Sequence, residues 1–206
     1  QLKNQCNSSL EAMTEEFSHV KSPRWLGQQR RIGITGGIAS GKSTIGKYIE
    51  QKKELPILDA DLYSHEALAP GQSSTEQVIK RYGDQVIDKT QLNNSTINRK
   101  ALRRIICKSK EEKVWLEELL HPKILNRINR ELGIASIEPI VIIILPLLYE
   151  LNLTNICSEI WVVSCTPDQQ ISRVMGRDKV SIKEAREIID TQIPLNIKID
   201  LADVVI

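Results

Sequence analysis

The segment that most constrains this chain is a glycine-rich stretch, residues 36–43, between a short apolar run and a helical pattern. It reads GGIASGKS and fits the spacing G-x-x-x-x-G-K-[ST]. Ile32 and Ile34 precede it with the alternation of a strand, and apolar residues follow at helical spacing over 45–49. A strand, a glycine-rich turn and a helix start in direct succession are typical of a loop that cradles nucleotide phosphates. A glycine-rich turn beside a surface lysine is the alternative, which both flanks disfavour.

The requirements of phosphate binding explain each residue type in this loop. Phosphates need several inward-pointing backbone N–H groups, and glycine allows that close approach. The helix start adds unpaired N–H groups and the positive end of the helix dipole. Lys42 is predicted to reach the β- and γ-phosphates of ATP, Ser43 to ligate Mg²⁺, and Thr44 to contact the α-phosphate. The rest of the predicted ATP-binding loop is Gly37, Ala39, Ser40 and Gly41.

Composition excludes several classes of protein. With 206 residues, 41% of them apolar, the chain is expected to form a compact domain with room for an insertion. Its net charge of +2 gives no reason to expect a nucleic-acid or membrane partner. Its four cysteines form no C-x-x-C pair, which favours reduced thiols in the cytoplasm. The longest apolar run, residues 140–148, is far shorter than the roughly 20 residues of a membrane span.

Two carboxylates follow the next apolar run, in the sequence LPILDAD at residues 55–61. If residues 57–59 form a strand, its carboxyl end lies at the sheet edge where open α/β sheets bind ligands. Asp61 is then predicted to be the base that accepts a proton from an attacking hydroxyl, and Asp59 is predicted to help hold the Mg²⁺ ion. The alternative is that one of them caps the helix predicted at 62–68.

Residues 63–138 are predicted to be a helical insertion, and residues 1–30 an N-terminal extension outside the catalytic fold. His121-Pro122 is expected to interrupt the longest helical pattern and to be structural. Within the extension, residues 10–20 have an amphipathic pattern. The helical patterns of the insertion run over residues 73–82, 98–107 and 110–132.

Residues 139–145 are the most hydrophobic segment and predict a central parallel strand buried on both faces. A P-loop ATPase or GTPase usually carries an aspartate at the end of such a strand, and none occurs here. Metal and base chemistry are therefore assigned to Asp59 and Asp61. Further strands are predicted at 159–165 and 203–206.

A helix with arginines on one face is predicted after the 159–165 strand. Thr166 is the expected N-cap and Pro167 the first helical residue. An arginine on a mobile helix that closes over the phosphates would stabilise the transferring phosphoryl group. That role is assigned first to Arg177 and second to Arg173, with an ordinary surface helix as the alternative.

Together these motifs resemble the dephospho-coenzyme A kinase family, with a match that covers residues 31–206. The P-loop is shared by many families, whereas its combination with the later motifs is specific. The motifs occur in this order: GITGGIASGKST, DAD at 59–61, NRKAL at 98–102, HP at 121–122, PLLYE at 146–150, QISRVMGRD at 170–178, Gln192 and ADVVI at 202–206.

The resemblance implies an α/β fold, a P-loop kinase core with a five-stranded parallel sheet flanked by helices. The core is expected at 31–62 and 139–206, with a substrate-binding insertion at 63–138 and a lid helix pair at 166–190. The implied reaction transfers the γ-phosphate of ATP, with Mg²⁺, to the ribose 3′-hydroxyl of dephospho-coenzyme A, the last step of coenzyme A synthesis.

The resemblance also implies residue roles. Asp61 is the family's base, and Arg177 corresponds to its lid arginine. Ala39 stands where the family often has glycine, at a position that the P-loop pattern leaves free. The family usually continues beyond the equivalent of Ile206, so adenine contacts are expected there. The implied substrate-binding residues are Thr35, Asp61, Leu147 and Glu150.

Two rival functions stay open. Another small-molecule kinase, of nucleoside, nucleotide or shikimate type, would keep the P-loop and lid, but PLLYE and HP argue against it. A regulatory GTPase would need an N-K-x-D motif, and residues 196–200, NIKID, do not fit that spacing.

Overall fold

The structure is a computed structural model, which describes residues 23–90 and 96–206. The amphipathic pattern at 10–20 lies outside the described residues. Within the described part of the chain, no helix is long and apolar enough to cross a membrane.

The described residues form a five-stranded parallel sheet flanked by helices, as predicted. Its spatial order is β2-β3-β1-β4-β5. Register places Ile32 opposite Ile142 of β3 and Glu159 of β4. The strands are β1 (Arg30–Gly36), β2 (Ile57–Asp59), β3 (Ile140–Ile144), β4 (Glu159–Val163) and β5 (Val204–Val205).

Strands β1 and β3 supply the centre of the core, because β3 is entirely apolar and β1 adds the buried side chains of Ile32 and Ile34. Residues 141–144 are all buried, which confirms the predicted central strand. Gly33 of β1 is needed for packing, since a Cβ there would lie 2.5 Å from the Cys157 sulfur. Burial in this core raises the pKa of the Cys157 thiol to about 12.

The chain divides into two compact units. The first contains the described residues up to Leu55 together with Pro139–Ile206, and the second is Pro56–Glu138. The helices of the first unit are α1 (Lys42–Lys53), α6 (Pro167–Asp178), α7 (Ile182–Ile189) and α8 (Leu195–Asp200). Those of the second are α2 (Ala60–Ala67), α3 (Ser73–Tyr82), α4 (Arg99–Lys108) and α5 (Lys110–Ile134).

The second unit has a hydrophobic core of its own, built from the apolar faces of its helices. Two polar contacts accompany this core: the hydroxyl of the buried Thr75 donates to the Ala69 carbonyl, and the Lys123 ammonium donates to the Ser73 hydroxyl. The buried residues of this core are Leu68, Val78, Val86, Ile97, Leu102, Leu116 and Leu120.

The expected interruption at His121-Pro122 is wrong. Helix α5 runs unbroken through Pro122, although proline supplies no backbone donor. Leu116 and Leu120 before the proline and Ile128 and Leu132 after it are all buried. Helical packing on both sides of Pro122 therefore outweighs the missing hydrogen bond.

The described part of the predicted N-terminal extension belongs to the first unit and contacts other residues of it. The Trp25 backbone N–H donates to the Cys157 carbonyl at 3.0 Å, and the Arg31 guanidinium lies 3.6 Å from the centre of the Trp25 ring. Arg24 also pairs with Asp203 at 3.4 Å. Strand β1 itself begins at Arg30.

Candidate functional site

The loop between β1 and α1 has the backbone of a phosphate cradle. Gly36 and Gly41 have φ angles of 149° and 115°, which L side chains rarely adopt. A Cβ on Gly36 would also lie 2.5 Å from the Val163 carbonyl oxygen. Ala39 has a φ of 58°, in the left-handed region, where an L residue costs about 1–2 kcal/mol. The position expected to be free in sequence is therefore conformationally restricted.

The backbone carbonyls of residues 36–40 all accept hydrogen bonds from side chains. The Lys42 ammonium donates to Gly36 at 3.2 Å and to Gly37 at 2.7 Å. The Gln170 amide donates to Ile38 at 2.8 Å. Arg173 completes the set by donating to both Ala39 and Ser40 at 3.2 Å. Because carbonyl oxygens repel phosphate, engaging them with donors suits the loop to bind an anion.

The N-terminus of α1 lies directly after this loop and has no side-chain cap. Gly41, its N-cap, provides no side-chain cap, and the first turn contains no acidic residue. A 12-residue helix with such an end favours a bound anion. The Ser40 hydroxyl is buried and has no hydrogen-bond partner within the described residues. Ser43 and Thr44 follow on the exposed side of the first turn.

Helix α6 places its predicted arginines differently. Thr166 caps it with a full capping box and Pro167 is its first residue, as predicted. Gln170 and Arg173 face the loop, as their hydrogen bonds show. Arg177 instead forms a bidentate pair with Asp178, with distances of 2.9 Å and 2.8 Å. Arg177, the arginine predicted first for the transferring phosphoryl group, therefore has a carboxylate partner. Arg173, the second choice, supports the loop.

In the second unit, the Asp59 carboxylate caps α2. Its Oδ1 accepts from the backbone N–H groups of Asp61 at 2.9 Å and Leu62 at 3.4 Å. The capping alternative is thus correct for Asp59. Asp61 is an exposed residue of the first turn of α2. The nearby His65 has its pKa lowered, first by burial and then by the charge of Arg99, against opposing effects of Asp61 and Asp59.

The segment after β3, Pro146 to Glu150, is fixed by contacts within the first unit. The Thr35 hydroxyl donates to the Pro146 carbonyl at 3.4 Å, and Thr35 is fully buried. The Tyr149 hydroxyl donates to the Leu201 carbonyl at 3.0 Å. Leu147 lies between them and is half-buried. Thr35 and Glu150, expected in substrate binding, therefore both lie within this network.

Lys198 of α8 is the residue of this network that sequence reasoning missed. Its ammonium lies 2.7 Å from Glu150 Oε1, and its side chain is 0% exposed against 17% for Glu150. It also donates to the Pro146 carbonyl at 3.3 Å. Burial lowers the pKa of Lys198, although Glu150 raises it. Glu150 Oε1 accepts a second bond from the Ile193 N–H, while Oε2 is buried without a partner among the described residues.

The chain matches known proteins over most of its length. The family model for dephospho-CoA kinase matches residues 30–206. A dephospho-CoA kinase of Prochlorococcus marinus is 49% identical over 183 residues, which are 89% of this chain and 87% of that protein. One of Synechocystis is 42% identical over 91% of this chain and 89% of its own.

Solved structures agree with this assignment. The dephospho-CoA kinase from Campylobacter jejuni superimposes with a TM-score of 0.55 at 26% identity, over 87% of this chain and 88% of that one. TT1252 from Thermus thermophilus does so with a TM-score of 0.68 at 27% identity and the same coverage. The fold, the phosphate-binding loop and the extent of the match establish that this chain belongs to the dephospho-CoA kinase family.

Proposed function

We propose that this chain transfers the γ-phosphate of ATP to the ribose 3′-hydroxyl of dephospho-CoA, giving CoA and ADP in the final step of CoA synthesis. The observation that carries the proposal is the match of residues 30–206 to the family, together with a phosphate-binding loop whose carbonyls are all engaged. The absence of a disulfide among the described cysteines accords with a cytoplasmic enzyme.

The loop binds the ATP phosphates in this proposal. The start of α1 has no side-chain cap, and the buried Ser40 hydroxyl has no hydrogen-bond partner within the described residues, which suits an anion site. Lys42 turns toward the β- and γ-phosphates, while Gln170 and Arg173 keep the carbonyls of residues 38–40 engaged.

The oxygen donors fit Mg²⁺, which prefers hydroxyl and carboxylate ligands. Ser43 would hold it from the first turn of α1, and Asp59 from its second carboxylate oxygen, since Oδ1 caps α2. The ion, when bound, neutralises charge on the β- and γ-phosphates.

Asp61 is the proposed base. It follows a parallel strand directly and occupies an exposed position, so its carboxylate is accessible to a substrate hydroxyl. It accepts the proton of the 3′-hydroxyl as that oxygen attacks the γ-phosphorus. Leu147, Thr35 and Glu150 shape the acceptor side through the segment that follows β3.

Arg177 is proposed to stabilise the transferring phosphoryl group. Its fork already holds the two oxygens of Asp178, a geometry that phosphate oxygens can also accept. Exchange of the carboxylate for the phosphoryl group would bring α6, which with α7 forms the proposed lid at 166–190, over the reaction. Arg173 would keep the loop in its binding conformation.

The function is tested by ATP consumption with a panel of acceptors: dephospho-CoA, adenosine, AMP and shikimate. We expect turnover with dephospho-CoA alone, and its loss in Lys42→Ala, which removes the phosphate-binding cation. Lys47→Ala, an exposed lysine further along α1, is the matched control and should retain wild-type kinetics. Turnover with another acceptor in place of dephospho-CoA would refute the proposed substrate.

A further inference from the structure

Helix α4 has a strongly basic sequence. Its sequence, RKALRRIICK, contains five basic residues and no acidic one. Arg99 and Lys100 lie at the positive end of the helix dipole, where cations are unfavourable. Arg99 and Arg103 are also like charges one turn apart. Each of these repulsions would be relieved by a bound anion.

Arg99 is the most distinctive of these cations. It is half-buried, and burial alone lowers its pKa, since no carboxylate acts to raise it. Across residues 23–90 and 96–206 no carboxylate forms an ion pair with it. Among the described residues, its hydrogen bond runs from Nη2 to the His65 carbonyl at 2.7 Å. A guanidinium has five donors, so most of its capacity is open to a ligand.

The hydrogen bond to the His65 carbonyl also places the Arg99 guanidinium beside helix α2. His65 belongs to the last turn of α2, one helical turn after Asp61 on the same face. The His65 imidazole lies close enough to Arg99, Arg103 and Asp61 for all three charges to act on it. These groups belong to one unit of the chain, and His65, Arg103 and Asp61 are exposed. Arg99 therefore binds helix α2 one helical turn from the proposed base, and Arg103 lies one turn after Arg99 on α4.

We propose that Arg99, assisted by Arg103, binds the 5′-diphosphate of the acceptor nucleotide and so presents the ribose 3′-hydroxyl to Asp61. This inference rests on the proposed function. The diphosphate and the reacting hydroxyl are carried by the same ribose, so a cation that fixes the first also fixes the second. Guanidinium groups suit this ligand because their fork matches phosphate oxygens.

The test is the affinity for dephospho-CoA, measured by calorimetry without ATP, beside the steady-state KM for each substrate. Arg99→Gln is expected to weaken dephospho-CoA binding roughly 10- to 100-fold, the value of one or two charge-assisted hydrogen bonds, and to leave the KM for ATP unchanged. Arg99→Lys should recover part of the loss. Arg104→Gln, an exposed arginine of the same helix, is the matched control and should bind as the wild type does.

Arg103→Gln supplies a second variant if Arg99→Gln does not fold, because Arg103 is exposed. It should weaken dephospho-CoA binding about 5-fold or more. Wild-type affinity in either folded arginine variant would overturn the corresponding assignment, and equal losses in Arg104→Gln would show an unspecific basic surface instead. Because binding is measured without transfer, a wild-type protein that binds dephospho-CoA but does not phosphorylate it would refute the proposed function and the presentation of the hydroxyl to Asp61, and would leave only the diphosphate-binding role of Arg99.

Discussion

Replacing Lys198 by methionine should destabilise the first unit strongly. The change keeps most of the side-chain volume and removes the charge. It takes from Glu150 Oε1 a cation at 2.7 Å, and from the Pro146 carbonyl a donor at 3.3 Å. Glu150 Oε2 already lacks a partner among the described residues, so the carboxylate would then be buried with a single backbone donor.

The size of the effect follows from burial. Removing one partner of a buried ion pair costs about 3–5 kcal/mol, against total stabilities of roughly 5–15 kcal/mol. For a chain of this size, that corresponds to a fall in Tm of roughly 6–20 °C. Lys198 qualifies as buried because its side chain is 0% exposed.

The double variant Lys198→Met with Glu150→Gln should be far less destabilised than the sum of the two single variants. Neutralising both members of a buried ion pair removes two desolvated charges together and leaves neither one uncompensated. Urea unfolding of the wild type, both single variants and the double variant measures the coupling.

A loss of less than about 1 kcal/mol in Lys198→Met would refute the reasoning, because it would mean that Glu150 is not desolvated. Strict additivity in the double variant would contradict the pairing itself.

Three further predictions concern catalysis and acid stability. Asp61→Asn should reduce kcat roughly 10²- to 10⁴-fold and leave the KM for ATP unchanged. Near-normal turnover would contradict the assignment of Asp61 as the base. Arg173→Gln should raise the KM for ATP, because two loop carbonyls lose their donor, whereas Arg177→Gln should mainly lower kcat; equal effects on both constants would refute this division. Hydrogen bonds from Arg81 lower the pKa of Glu112 from 4.5 to about 2, so its stabilisation is complete above pH 4.5 and is lost as the pH falls toward 2. Glu112→Gln should flatten the acid branch of the urea midpoint against pH, and an unchanged branch would contradict the pairing.

The sequence predicted the elements whose signals are local. The P-loop could be recognised because its glycines, lysine and flanking periodicities occur within a few residues of one another. The α6 start was equally visible, since Thr166 and Pro167 act on the backbone beside them. The buried β3 strand follows from a run of apolar residues too short for a long helix.

Contacts between distant segments could not be predicted in this way. Lys198 has no periodic or motif signal, and its partner Glu150 lies 48 positions earlier in the chain. Ala39 could not be recognised as restricted, because a φ angle depends on the loop that surrounds it. Pro122 led to a wrong prediction for a related reason: the tendency of proline to break a helix is overridden by buried residues before and after it.

The central claim is tested most directly by isolating the product of the wild-type chain with ATP, Mg²⁺ and dephospho-CoA. Mass spectrometry should show the gain of one phosphate, and phosphorus–proton correlation in NMR should place it on the ribose 3′-oxygen. A phosphate at another position, or ATP hydrolysis with unmodified dephospho-CoA, would contradict the account.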